Sequence, residues 1–217
     1  MVYYISMFDT MQGKEHKTCL FLSFLILLTY TDIFMRNYGW QRPGGNIMNV
    51  EIISVGTELL LGDIVNTNAQ YISKELAAIG INVYRQMTLG DNIDRLVRSF
   101  EIAFERADIV LTTGGLGPTG DDITKEAAAK YFGQEMVVDQ ESWNIIEDMC
   151  ARYSGSRDRI PKNNIKQAMF PKEADIIPNK NGTAPGAVFK KDGKRIIVMP
   201  GPPREMKAMF KGSVLPL

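Results

Sequence analysis

From Val50 onward the apolar positions follow two rhythms that take turns. Val50-Glu51-Ile52-Ile53-Ser54-Val55 is almost continuously apolar, as a central parallel strand covered on both faces should be. Ala69, Ile72, Leu76 and Ile79 then recur at three- and four-residue spacing and stop at Gly80, which predicts an amphipathic helix capped by Asn66, Thr67 or Asn68. Residues 81–87 predict a second strand. Ile93, Leu96, Val97, Phe100 and Phe104 predict a second helix opened by Asp91 or Asn92, and residues 108–111 a third strand. Residues 123–132, rich in Ala, Lys and Glu and followed by Gly133, predict a third helix. This alternation with short links implies a parallel sheet with helices on both faces.

After Gly133 the rhythm loosens. Val137-Val138 reads as a short strand, and a helix runs from Asp139 through Trp143, Ile146 and Met149 toward Tyr153. A polar, basic loop at 154–159 precedes a short helix over 161–168 with Pro161 in its first turn. Short strands are expected at Ile176-Ile177 and 186–189. Lys191-Asp192-Gly193-Lys194 carries an Asp-Gly hairpin signal, 196–199 is the returning strand, and Arg204 begins a last helix reaching Phe210. Residues 48–217 therefore read as one domain. Residues 1–47 do not match it. An apolar run of twelve residues, Cys19 to Tyr30, follows a charged stretch; it is short for a membrane span and has no small-x-small cleavage site behind it. Met48 directly precedes the first strand, so 1–47 is expected to be a leader from a mis-assigned start or a hydrophobic extension, an anchor and a signal peptide being the alternatives. No membrane association is expected of 48–217.

Composition narrows the chemistry. Lys plus Arg and Asp plus Glu both number 25, so no global charge points to nucleic acid or an anionic membrane. Two cysteines without CxxC or Cys/His neighbourhoods argue against a disulfide framework or a structural zinc. The single histidine, His16, lies in the leader, which leaves no Ser-His-Asp or Cys-His mechanism to build. A cytoplasmic protein is the expectation.

The candidate chemistry centres on Thr112-Thr113-Gly114-Gly115-Leu116-Gly117-Pro118-Thr119-Gly120-Asp121-Asp122 between the third strand and third helix. Its four glycines let backbone N–H groups approach a ligand, and the helix start behind them favours an anion. One of Asp121 and Asp122 is expected to cap that helix. Two aspartates would repel a bare phosphate, and a divalent cation between them reconciles cradle and carboxylates. A plain connecting turn is one alternative. Gly115-Leu116-Gly117-Pro118-Thr119-Gly120 also fits GxGxxG, in which case Asp139 would hold a ribose, but the motif follows the third strand rather than the first. Glu58 and Asp63 follow strand one and Asp91 follows strand two, so five carboxylates are expected along one sheet edge. Asn181-Gly182-Thr183 and Pro200-Gly201-Pro202-Pro203-Arg204 form two further loops, the second offering Arg204 as a phosphate clamp.

Gly56-Thr57-Glu58-Leu59-Leu60-Leu61-Gly62 with Asn66-Thr67-Asn68, the 112–124 loop, 181–186 and 199–206 together resemble the N-terminal domain of the CinA family (competence/damage-inducible proteins), over 48–217. The resemblance implies a three-layer α/β/α fold of the molybdopterin-binding (MoaB/MogA-like) kind with a mostly parallel sheet, commonly a homodimer. It implies metal-dependent hydrolysis of ADP-ribose to AMP and ribose 5-phosphate, with a molybdopterin-binding or adenylylating protein, or a non-catalytic competence/damage-associated ligand-binding module, as alternatives. By position, the superfamily's paired aspartates are Asp91 and Asp122. Asp122, Asp121, Asp91 and Glu58 are then the expected ligands of Mg2+, Mn2+ or Co2+. Thr113, Gly114, Gly115, Gly117, Thr119, Asn66, Asn68, Asn181, Gly182, Thr183 and Arg204 are expected around a small nucleotide or pterin ligand. The amidase domain that usually follows in the family is not matched by this sequence, and its activity is not carried over.

Overall fold

The computed structural model describes residues 49–154 and 160–217. The leader at 1–47, Met48 and the stretch 155–159 of the basic loop lie outside the described residues. In chain order the elements are β1 (Val50–Val55), α1 (Thr57–Leu61), α2 (Thr67–Ala78), β2 (Val83–Leu89), α3 (Ile93–Ala103), β3 (Ile109–Thr113), α4 (Thr124–Phe132), β4 (Val137–Val138) and α5 (Gln140–Ser154). A 3-10 turn (Lys162–Ala168), β5 (Met169–Phe170), β6 (Asp175–Ile177), β7 (Gly186–Lys191), β8 (Lys194–Met199), α6 (Pro203–Met209) and a π turn (Phe210–Val214) follow.

Six strands form one sheet in the order β2-β1-β3-β8-β7-β6. The first four run parallel, and β7 runs antiparallel to both its neighbours, β8 and β6. The reversal comes from the hairpin foreseen in sequence: Asp192 and Gly193 both take positive φ, 51° and 78°, the two-residue turn whose twist suits paired strands. β4 and β5 form a separate antiparallel ribbon, and β5 was not foreseen.

Every residue of β1 is buried, and alternate side chains serve opposite layers. Val50 and Ile52 pack with Ala69, Ile72 and Leu76 of α2 and Met206 and Met209 of α6. Ile53 and Val55 pack with Leu96 and Phe100 of α3 and Ala127, Ala128 and Phe132 of α4. Two cores separated by one sheet make the three-layer α/β/α architecture. Glu51, the one charged residue in β1, is paired with Arg106.

Three local expectations need correction. Strand two begins at Val83 rather than residue 81, because the fully buried Ile81 closes the end of α2, its amide donating to Leu76 O. Residues 57–61, expected to be loop, form the short helix α1, which buries none of its residues. The terminal helix ends at Met209 and passes into a π turn.

Candidate functional site

The chain leaves β1 toward β2 on one side and leaves β3 toward β8 on the other, so the loops diverge between two neighbouring parallel strands. Open α/β sheets bind ligands in the crevice at such a point. Here the crevice is a cavity of about 580 Å3 lined by Thr113, Gly114, Gly115, Leu116 and Gly117, by several residues between Gly56 and Asn68, and by Pro200, Gly201, Pro202, Pro203 and Glu205. That size suits a nucleotide or similar small ligand.

The glycine loop owes its shape to steric necessity at two positions. Gly114 has φ of +100°, and a Cβ there would collide with Val55 O; Gly115 has φ of +67°, and a Cβ would meet Thr124 Oγ1. The loop's carbonyls are tied down behind it. Thr124 donates from its hydroxyl to Gly114 O at 2.8 Å and from its amide to Gly115 O at 3.1 Å. Asn163 and Lys166 of the 3-10 turn donate to Pro118 O and Thr119 O. The Gly114 amide is committed to Met199 O, so it is not available to a ligand. Among the described residues, the amides of Gly115, Leu116 and Gly117 have no protein partner, and all three residues line the cavity. Three such donors ahead of α4 are a ready anion cradle.

Neither Asp121 nor Asp122 caps α4, contrary to expectation; the N-cap position is Ile123 and carries no side-chain bond. Asp122 instead accepts at Oδ2 from the Thr119 amide (2.9 Å) and hydroxyl (2.5 Å), folding the loop onto itself. Asp91 plays the same part on the facing wall, accepting from the Thr57 amide (3.2 Å) and hydroxyl (2.7 Å). Asp91, Asp121, Asp122 and Glu58 all line the cavity. No three His, Cys, Asp or Glu residues among those described converge as a ready-made cation cage. A site of one or two carboxylates fits a Mg2+-type ion only where a ligand's phosphates complete its coordination. The donor set is hard oxygen throughout, as such ions require.

Asn66 caps α2 through the Ala69 amide at 3.1 Å and donates to Ser54 Oγ at 2.9 Å. Asn68 joins three segments, donating to Thr113 Oγ1 at 2.8 Å and Gly201 O at 2.7 Å, while Thr113 donates to Pro200 O at 2.9 Å. Its buried Oδ1 has no protein partner, nor has Oε1 of Gln167 on the same cavity wall. Behind the loop, Lys125 is 2% exposed; its ammonium donates to Lys166 O and Gln167 O and lies 4.2 Å from the centre of the Phe170 ring. Burial pushes the Lys125 ammonium down to about 7, with Glu126 and Asp122 pulling it upward and Lys166 adding to the depression.

The cavity thus gathers Glu58, Asn66, Asn68, Asp91, Thr113, Gly114, Gly115, Gly117, Thr119, Asp121, Asp122 and Thr183. Arg204, Asn181, Gly182 and Asp63 are not on its wall. Arg204 and Asn181 are exposed neighbours, Asn181 Nδ2 donating to Arg204 O, and Gly182 lies against Glu205 and a smaller cavity. Asp139 accepts from the Ser142 amide at 2.7 Å at the start of α5 and lines the smaller cavity, so it has no ribose-holding place beside the glycine loop. Sequence reasoning passed over Gln167 and Glu205, both on the wall. Nothing local marks them: Glu205 reads as a first-turn helix residue and Gln167 as part of a turn.

Among the described residues no helix is long and apolar enough to cross a membrane. Residues 51–217 match the family described as a probable molybdopterin binding domain. A Clostridioides difficile (strain 630) protein named for competence-damage induction is 58% identical over 169 residues, which cover 78% of this chain and 40% of that protein. The CinA-like protein of Kosmotoga olearia is 52% identical over 169 residues with the same coverage. The chain thus spans about 40% of the length of the curated relatives it matches. The solved structure of the protein CinA, of unknown function, from Thermoplasma acidophilum is 37% identical; the match covers 76% of this chain and 94% of that one at a TM-score of 0.69. Molybdenum cofactor biosynthesis protein B is similar in fold alone, 16% identical over 78% of this chain and 89% of that one at a TM-score of 0.50.

Proposed function

The chain belongs to the probable molybdopterin binding domain family, among its CinA-like members, and from that premise we propose that the cavity binds a phosphorylated pterin of the molybdopterin class. The observation that carries this reading is the row of unpartnered amides at Gly115, Leu116 and Gly117 in front of α4. Three fixed N–H donors at a helix start favour a phosphate monoester. Asn68 and Thr113 hold the cradle to the 200–201 loop, which keeps the donors in place before a ligand arrives. The test is calorimetric titration of the purified chain with molybdopterin or a stable phosphorylated pterin. Saturable 1:1 binding that is lost with added inorganic phosphate supports the reading; no heat at millimolar ligand refutes it.

The carboxylates favour a second reading, hydrolysis of ADP-ribose to AMP and ribose 5-phosphate in a homodimer of cytoplasmic location. Asp91 and Asp122 would hold a divalent cation such as Mg2+, Mn2+ or Co2+, with Asp121 and Glu58 near it. When bound, that ion supplies electrophilic polarisation of a pyrophosphate and charge neutralisation. The chain's own part is to fix the pyrophosphate. Gly115, Leu116 and Gly117 donate to its oxygens, and Thr57 and Thr119 hold the two aspartates in orientation. Incubation with ADP-ribose with and without the metals, followed by chromatography, tests it. AMP that appears only with metal, and that falls at least about 100-fold in Asp122→Asn, supports the reading; metal-independent or absent turnover removes it.

A further inference from the structure

Nine large apolar side chains are exposed among the described residues, and four of them, Leu60, Leu61, Ile64 and Val65, fall within one six-residue stretch. This stretch borders the cavity. Ile64 and Val65, 51% and 81% exposed, are on the cavity wall together with Leu59, whereas Leu60 and Leu61 are not. The cavity therefore combines two chemistries: an amide cradle for an anion at 115–117 and an apolar lip at 64–65. Contiguous exposed apolar surface continuous with a polar cradle is a recognition surface rather than ordinary scatter. The lip is also lightly held. No residue of α1 is buried, Gly62 adopts φ of +81° at its end, and its side-chain tie to the body is Thr57 on Asp91.

We propose that Ile64 and Val65 are the specificity-determining residues of this cavity, gripping the flat face of a fused nitrogen heterocycle whose phosphate sits on the 115–117 amides. This rests on the reading of those amides as a phosphate cradle. The chemistry selects the occupant. A bare sugar phosphate or inorganic pyrophosphate leaves Ile64 and Val65 in water, while a purine- or pterin-sized ring covers both and releases that water. A protein partner would be expected to bury Leu60 and Leu61, which are not on the cavity wall, whereas Ile64 and Val65 line the same cavity as the cradle.

The experiment compares binding of AMP, neopterin phosphate and ribose 5-phosphate to the purified chain, to Ile64→Ser/Val65→Ser and to a control, Leu61→Ser. All substituted residues are exposed, so the fold is retained and is checked by unchanged thermal unfolding. The expected result is that at least one ring-bearing ligand binds the parent at least about 10-fold more tightly than ribose 5-phosphate, from the burial of two aliphatic side chains. That advantage disappears in the double variant and survives in Leu61→Ser. An advantage for AMP alone or for neopterin phosphate alone identifies which ring the lip takes. Ring ligands no tighter than ribose 5-phosphate, with all three binding, overturn the lip and leave the cradle standing. Binding of none of the three overturns the cradle, and the lip with it. Unchanged affinities in the double variant accompanied by a change in sedimentation assign the lip to a subunit contact and overturn the proposal.

Discussion

Replacing Lys125 with Met asks what an ammonium does beneath the glycine loop. The side chain is 2% exposed, and burial lowers its proton affinity to about 7 from an ordinary value of 10.5. In the unfolded chain it titrates at the ordinary value. Below about 7 both states carry the proton and the burial penalty is fully present. Between about 7 and 10.5 the unfolded chain holds the proton and the folded chain does not, so stability rises with pH. The slope is at most about 1.4 kcal/mol per pH unit. Met removes the titration while nearly filling the volume. It also strips a donor from Lys166 O and Gln167 O and a cation from the Phe170 ring. The neutral amine still donates to both carbonyls, so that loss cancels when the wild-type minus variant difference is followed across pH, whereas the cation–ring contact leaves with the proton and belongs to the titration itself. Urea unfolding of both proteins at about pH 7, 8 and 9 should show that difference moving in favour of the wild type by about 2 to 3 kcal/mol in total. A flat difference would mean that Lys125 keeps its ordinary proton affinity in the fold. A difference that falls with pH would mean that the carbonyls and the ring outweigh burial and hold the proton more tightly.

Gly114→Ala should lower stability by about 3 kcal/mol, because a Cβ at φ of +100° meets a backbone oxygen of β1 that cannot move aside; urea midpoints measure it, and a loss below about 0.5 kcal/mol would show that the loop relaxes freely. Asn68→Ala should cost about 2 kcal/mol by leaving Gly201 O and Thr113 Oγ1 without its donors, and should weaken ligand binding more than Thr67→Ala at the exposed neighbouring position; equal effects from the two would deny Asn68 its bridging part.

The sheet and both helical layers were legible because β1, β3 and most of β8 are buried on both faces and so carry short apolar runs such as Ile52-Ile53, Ile109-Val110-Leu111 and Ile196-Ile197-Val198. The period of Ile72 and Leu76, and of Leu96 and Phe100, marked which faces α2 and α3 turn inward. Topology alone then placed Glu58, Asp91 and Asp122 on one rim, and the structure puts them on one cavity wall. Hydrogen bonding across long separations was not legible. Gly114 gives its amide to Met199 O, a choice that depends on where a strand far along the chain comes to rest, while Asp122 turns back three residues to Thr119 instead of to the helix start, a local alternative that the sequence offers equally. Arg204 lies off the cavity wall because adjacent helix positions point about a quarter-turn apart, and Glu205 is the one that lines it.

The insertion of β8 beside β3 also sets an order of events in time. Ile109 lies opposite Arg195 and Thr113 opposite Met199, so β3 keeps an open edge until most of the domain has been synthesised. During translation β1, β2 and β3 can assemble with α2 and α3, but Gly114 has no acceptor for its amide and Asn68 no Gly201 carbonyl until the last strand docks. The cavity is therefore completed late in the chain. A ribosome paused before residue 194 would display an unpaired strand edge, the template on which another nascent chain can add.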